Sequence, residues 1–181
     1  MKKKILTLSL LFIFVSLFAG GTLAYFTATE TARNSITAGN ISIDLIEKDA
    51  EGKPFEDVLG VLPGDEVVKE VTVKNTGSNP CWVRAGVDRK INLTGEGTAD
   101  LSLLEIDFNT NEWGEADGFF YYSKLLQPGE TTVPLFTKVR FRDDMSNIYM
   151  GCTAEVKVDA QAVQAANNGS TVLEANGWPA E

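Results

Sequence analysis

The residue types that carry most enzyme chemistry are scarce in this chain of 181 residues. It contains no histidine. This absence removes the imidazole base of the serine and cysteine triads, the zinc-protease helix motif and the commonest metal ligand. The chain also has no Ser-x-x-Lys motif and no glycine-rich phosphate loop. We therefore expect that the protein is not an enzyme, and that it has no catalytic, cofactor-binding or metal-binding residues.

Paired carboxylates are the remaining candidates for chemistry. The acidic groups are Glu56-Asp57, Asp143-Asp144, and Glu112 with Glu115 and Asp117. A glycosidase could use two carboxylates on facing strands or loops, and spacing along the sequence does not exclude this. In a chain with 25 acidic and 16 basic residues, however, most carboxylates are simply solvated. A hydrolase is therefore a distant alternative.

Aromatic residues suggest a binding surface instead. Trp82, Trp113 and the run at 119–122 could form a platform that stacks on the apolar faces of sugar rings. Alternating aromatics in a strand are more commonly divided between the core and an edge. Trp178 lies near the end of the chain, and it either packs back onto the domain or docks onto another molecule.

The elements that would position these residues are predicted mainly as strands. At 153–163, alanine and valine alternate with charged and polar residues, as in a strand with one face on a core and one in water. Pro-Gly pairs and Asn- and Gly-containing turns separate this segment from similar ones. The other predicted strands are 41–46, 66–75, 81–91, 119–122 and 133–142, with a short helix at 99–104 and a long loop at 109–118.

This pattern predicts an all-β fold, an antiparallel β-sandwich of jelly-roll or immunoglobulin-like type, preceded by a signal-peptide helix. A length of 157 residues without the leader suits one domain. The predicted organisation is a signal peptide at 1–24, an N-terminal extension at 25–39, the sandwich at 40–166 and a C-terminal tail at 167–181.

The two cysteines are a candidate disulfide. Cys81 is in phase with Val83 and Ala85, and Cys152 is in phase with Ala154, so both thiols should point into the sandwich. In an exported protein they could bridge, which would stabilise the fold by at most ~4 kcal/mol in the chain-entropy model. The alternative is two separate buried thiols.

The N-terminus has the three-part layout of a signal peptide. Three lysines at 2–4 precede an apolar run at 5–19, and small residues lead to Ala24. We expect cleavage between Ala24 and Tyr25; an uncleaved membrane anchor is the alternative. Cleavage removes three lysines and no acidic residue, which leaves 13 basic and 25 acidic side chains and a net charge of −12. Such a chain repels nucleic acid and anionic lipid.

Two stretches resemble a known family. Residues 20–27, Gly-Gly-Thr-Leu-Ala-Tyr-Phe-Thr, and 38–45, Ala-Gly-Asn-Ile-Ser-Ile-Asp-Leu, are similar to the signal peptide and first mature strand of the TasA/camelysin (CalY) family. The Pro-Gly-Asp turn at 62–65 and the strand and Asn-x-Gly-Ser turn at 71–78 are also similar. Precursors of this family are cut by the dedicated SipW signal peptidase of Gram-positive bacteria.

The resemblance implies jelly-roll-like subunits of extracellular biofilm-matrix fibres. Camelysin is also described as a metallopeptidase, but that role transfers to no residue here, because the chain lacks histidine and recognisable zinc-ligand spacing. The two cysteines and the end at Gly177-Trp178-Pro179 depart from TasA.

The expected function is therefore a secreted structural protein of the cell surface or biofilm matrix, extracellular or surface-associated, with no cofactor. Residues 25–37 could be a donor strand that pairs with a neighbouring copy, or a flexible N-terminus. Expected partners are the signal peptidase during export, further copies and other matrix proteins, with no nucleic acid, and with the membrane only through the signal peptide. A surface-attached adhesion or ligand-binding module is the alternative.

Overall fold

The protein forms two packed β-sheets. The computed structural model describes residues 41–56, 58 and 62–179. The strands are β1 (Ile43–Lys48), β2 (Glu66–Asn75), β3 (Cys81–Asn92), β4 (Leu104–Ile106), β5 (Trp113–Ala116), β6 (Phe119–Tyr122), β7 (Phe136–Phe141) and β8 (Thr153–Gln164). Three short 3₁₀ helices lie at Leu101–Leu103, Asn147–Tyr149 and Val172–Glu174.

Among the described residues, each sheet has four strands, in the orders β1-β2-β7-β4 and β5-β6-β3-β8. All strand pairs are antiparallel. The longest ladder joins β3 to β8, with Cys81 opposite Gln164 at one end and Asn92 opposite Thr153 at the other. The predicted antiparallel β-sandwich is confirmed, and two sheets of four strands are typical of the jelly-roll type.

The main core lies between the sheets. Alternating side chains of β2 and β3 enter it, including Val71, Val73, Val83 and Ala85, each at most 1% exposed. Leu104, Trp113 and Phe136 fill the space between them. The alternation of apolar residues in the sequence therefore identified the inward faces of the long strands correctly.

The Pro-Gly turns form as predicted. Asp65 N donates to Leu62 O, and Glu130 N donates to Gln127 O, so each turn spans four residues around its Pro-Gly pair. Gly64 and Gly129 have φ of +90° and +82°, as required at the third position of a type II turn. Both turns therefore lie at the positions that the sequence predicted.

Two predictions of local structure were wrong. The predicted helix at 99–104 is only the 3₁₀ turn Leu101–Leu103, and the chain then enters β4. The predicted loop at 109–118 contains β5, which pairs with β6 through a two-residue turn at Asp117 and Gly118. Both turn residues have positive φ, as in the tight hairpin turns that favour Asp-Gly. β4 and β5 have too few residues to show an alternating pattern in the sequence.

Candidate functional site

The sheet edges are the places where another strand could add. Among the described strands, β1 and β8 each have one partner strand and each lies at the edge of its sheet. The other two edges, β4 and β5, are three and four residues long. β8 has 12 residues and is the longest edge strand among those that the structure describes. Long edges are the usual sites of strand addition.

An ion pair lies between the edges of β1 and β8. Lys69 on β2 is 7% exposed, and its Nζ lies 3.0 Å from Glu47 Oε1 on β1. The same ammonium donates a hydrogen bond of 3.0 Å to the carbonyl oxygen of Val156 on β8. It also lies 4.8 Å from the centre of the Phe55 ring. One cation thus connects the edge strand of one sheet to the edge strand of the other.

The turn after β1 brings Phe55 to this place. Asp49 Oδ1 accepts hydrogen bonds from the backbone N–H groups of Glu51 and Lys53. This closes the turn, and Phe55 N then donates to Glu47 O at 3.0 Å. The Phe55 ring therefore covers the ammonium, which sequence reasoning did not anticipate. The available signal was Lys69 itself, a charge in phase with the inward residues Val71 and Val73.

The described members of the predicted carboxylate groups bind cations, are exposed to solvent or lie in a turn. Glu112 binds Lys124 at 2.9 Å, which lowers the pKa of the Glu112 carboxyl. The Arg142 guanidinium lowers the pKa of Asp144 in the same way. Glu115 and Asp143 are exposed, and Asp117 forms the β5–β6 turn. Asp57, next to the exposed Glu56, lies outside the described residues.

The aromatic residues form no sugar-binding platform. Trp113, Phe120 and Tyr122 enter the core between the sheets. Trp82 and Tyr121 lie on the outer face of the second sheet, where each is 7% exposed. The run at 119–122 is thus divided between two faces of the sheet, and both faces are covered. The division of these aromatic residues between covered faces, which the sequence favoured over a platform, is therefore confirmed.

The C-terminal segment covers the outer face of the second sheet. Val172, Ala175 and Trp178 pack on Trp82 and Tyr121 in a second hydrophobic cluster. The Trp178 ring meets Tyr121 edge-on, with centroids 5.9 Å apart. Trp178 therefore packs back onto the domain, as one of the two predicted alternatives.

A cation joins this segment to the sheet. The Arg84 guanidinium lies 3.9 Å from the centre of the Phe119 ring and 4.8 Å from that of Trp178. Its Nη2 donates to the carbonyl oxygen of Pro179. The described part of the predicted tail, up to residue 179, is therefore attached to the sandwich rather than separate from it.

The cysteines are far apart. Cys81 opens β3 and is fully buried, whereas Cys152 directly precedes β8 and is half-buried. Cys81 lies opposite Gln164, and Cys152 is twelve residues before Gln164, so the two cysteines are about 40 Å apart along the ladder. A disulfide needs Cα atoms within roughly 7 Å. Both thiols contact the main core as expected, but both are free, and the predicted bridge does not form within this fold.

Two predicted sites fall on residues 1–40, outside the described part of the chain: the cleavage site between Ala24 and Tyr25, and the donor segment at 25–37. Both stay predictions. Within the residues that are described, no helix is long and apolar enough to cross a membrane.

The family comparison names a metal-dependent peptidase activity. Residues 1–81 match the family model described as camelysin metallo-endopeptidase. No curated protein matches the chain. The donor set does not fit a catalytic zinc ion, because the sequence has no histidine. In the described ranges, no three Cys, Asp or Glu side chains are grouped closely enough to hold a metal ion.

The matched region extends beyond residues 1–40 into the described part of the chain. It includes β1, β2 and the first residue of β3. These are the residues on which the sequence resemblance rests, from the Gly-Gly-Thr-Leu-Ala stretch to the Pro-Gly-Asp turn. The match confirms that resemblance over residues 1–81, where the chain is similar to the camelysin family.

Proposed function

We propose that this protein is a secreted structural protein of the cell surface or biofilm matrix, and that its copies assemble into fibres by donor-strand exchange. The observation that carries the proposal is that, among the described strands, β1 and β8 are the long edges of a sandwich, and that β1 begins at Ile43, shortly after residues 25–39. A segment that precedes a folded domain can pair with a neighbour without unfolding its own sheet.

The donor would be residues 25–37. This segment becomes an N-terminus only after cleavage between Ala24 and Tyr25, so assembly would be prevented before export. Its backbone would pair with an edge of the next copy, and alternate side chains would enter that copy's groove. A head-to-tail contact of this kind repeats without closing and gives an open filament.

The expected partners follow from charge and processing. A dedicated signal peptidase would act on the precursor, and other copies or matrix proteins would bind the secreted form. The net charge of −12 after cleavage disfavours nucleic acid and anionic membrane surfaces. The membrane would be contacted only through the signal peptide, and the protein would be located outside the cell.

The other candidate functions have less support. An adhesion module that binds glycans needs exposed aromatic faces, but Trp82, Trp113 and Tyr122 are all less than 10% exposed. A hydrolase needs paired carboxylates, and the described groups bind neighbouring cations or lie in turns. We therefore propose a non-enzymatic role, although the matching family is described by an endopeptidase activity.

Deletion of residues 25–37 from the secreted form tests this proposal. We expect a folded monomer that does not polymerise, because the strands from β1 onward are untouched. Size-exclusion chromatography and electron microscopy of the intact and truncated chains measure the difference. If the truncated chain forms the same filaments as the intact chain, the donor-strand mechanism is wrong.

A matched pair of substitutions refines the test. Thr29→Pro should weaken assembly if that amide lies in the intermolecular ladder, since proline donates no hydrogen bond. Thr29→Ala keeps the amide and should assemble as the unsubstituted chain does. Equal assembly by both variants at residue 29, and by the same pair at Thr31, would argue against a paired strand there.

A further inference from the structure

Lys69 occupies a position that the strand pattern reserves for apolar side chains. In β2, Val71 and Val73 lie on the face that meets the core, and Lys69, two residues before Val71, is in the same phase. The register with β7 shifts between Val68 and Val71, which marks a β-bulge at this point. Bulges redirect a side chain and increase local twist. The lysine therefore points inward and sideways, toward the gap between β1 and β8.

The contacts of Lys69 use a hydrogen-bonding group of the β8 edge. Its Nζ donates to Val156 O, and this carbonyl must point away from β3, because the ammonium reaches it from the other sheet. In an antiparallel strand the N–H and C=O of one residue point to the same side. The Val156 N–H therefore also points outward, at the position where an added strand would pair.

Displacing the ammonium would leave a buried charge without its partners. Lys69 is 7% exposed, and Glu47 holds it in place at 3.0 Å. A strand that paired at Val156 would have to take its carbonyl from Lys69. Inward-pointing charges and lysines at edges are known ways to prevent edge-to-edge pairing. Since a buried cation is costly without its partners, the arrangement resists such pairing.

We propose that Lys69 closes the 153–158 half of the β8 edge against pairing with the same edge of a second copy of this chain. This inference concerns an unwanted contact, so it goes beyond the proposed fibre and holds whether or not fibres form. The Lys69 ammonium prevents another strand from pairing with residues 153–158 of β8. Glu47 and Phe55 hold the cation on that edge.

The test substitutes Lys69→Met in the secreted form. Methionine has a similar volume and no charge, so the sandwich can keep its packing while the Val156 carbonyl loses its donor. We expect association at least about tenfold greater than that of the unsubstituted chain by light scattering. The amides of Val156 and Val158 should exchange more slowly with solvent. Lys138→Met makes the same change at an exposed lysine on β7 and should not increase association.

A second substitution separates edge pairing from unfolding. Proline at an outward position of an edge strand blocks pairing and leaves the other ladder intact. Lys69→Met with Val156→Pro should therefore return to the association of the unsubstituted chain. Val156→Pro cannot restore a lost fold, so aggregation that persists in the double variant would overturn the proposal. Lys69→Met that associates no more than the unsubstituted chain or Lys138→Met would also overturn it.

These outcomes are independent of the fibre proposal. Absence of filaments from the unsubstituted secreted form would contradict donor-strand assembly and leave the comparison between Lys69→Met and Lys138→Met unchanged. Conversely, filaments that form equally in all variants would support assembly and refute the role of Lys69.

Discussion

Asn75, at the end of β2, is a polar residue that is fully buried. Its side-chain Nδ2 donates to the carbonyl oxygens of Asn79 and Leu126, and its Oδ1 accepts from the Gly77 N–H. Every hydrogen-bonding atom of the amide side chain is therefore used, as burial requires. In sequence, Asn75 reads only as a turn former. In the fold it fixes the crossing from one sheet to the other.

At the same scale, the distance between the cysteines predicts two free thiols. Cys81 and Cys152 lie at opposite ends of the β3–β8 ladder, so no bridge can form within one chain. We expect two reactive thiols per chain in the unreduced protein, counted with a thiol reagent after unfolding. A count of zero in monomeric protein would contradict the register of this ladder.

Burial of Cys81 predicts a loss of stability at alkaline pH. Desolvation raises the pKa of its thiol from 9.0 to about 12. The contribution of the buried Cys81 thiol to the free energy of unfolding is fully present below pH 9.0. It is lost as pH rises toward about 12, because the thiol of the unfolded chain releases its proton at lower pH than the buried thiol does. Between these two pH values, the Cys81 thiol lowers the free energy of unfolding by about 1.4 kcal/mol per pH unit.

Cys81→Ala should therefore lose less stability between neutral pH and about pH 10.5 than the unsubstituted chain does. Urea unfolding at both pH values measures the free energies. Cys152→Ala is the matched control, since that thiol is only half-buried, and its effect on the pH dependence should be smaller. Parallel pH profiles for Cys81→Ala and the unsubstituted chain would contradict the assignment.

At the scale of elements, the sequence predicted the long strands well. The bounds of β2 and β6 agree with the prediction, because each has a clear composition and flanking turn signals. β4 and β5 were missed, since three or four residues do not show a period. The alternation also predicted that the side chains of Cys81 and Cys152 point inward. It did not predict how far apart the two residues lie along the β3–β8 ladder. For the same reason, Lys69 could be seen to point inward, while its partner Val156 could not be identified.

The C-terminal segment is an element that we expect to stabilise the fold. Trp178→Ala removes the edge-on contact with Tyr121 and the ring over Arg84. Because Trp178 is only partly buried, the free energy of unfolding should fall by roughly 2 kcal/mol, less than for a core tryptophan. Thermal or urea unfolding measures the change.

Met150→Ala is the control for this prediction, because Met150 is 72% exposed and its loss should change little. An additional check uses the emission of the remaining tryptophans. Trp82 should become more solvent-exposed in Trp178→Ala, whereas Trp113 should not, since they lie in different clusters. Equal stability of Trp178→Ala and the unsubstituted chain would mean that the segment contributes no free energy to the domain.

At the scale of the whole molecule, the described residues form two hydrophobic clusters, one between the sheets and one on the outer face of the second sheet. β6 supplies aromatic side chains to both, Phe120 and Tyr122 to the first and Tyr121 to the second. The ladder between β3 and β8 joins residues that are distant in sequence. Such non-local pairing slows folding, so we expect this domain to fold more slowly than a helical domain of similar size.

The positions of the two ends of the strand framework have a mechanical consequence. Ile43 pairs with Asn75, Gln164 pairs with Cys81, and both Asn75 and Cys81 bond to Leu126, so the start of β1 and the end of β8 lie at the same end of the sandwich. A force that pulls these two ends apart acts on the β1–β2 hydrogen bonds one at a time, so they break in sequence from one end of the ladder. A strand laid along a neighbour's edge and pulled along its length would load all its bonds together. In a chain of such subunits under tension, the contact between copies would then resist shear, and the first strand within each copy would yield before it.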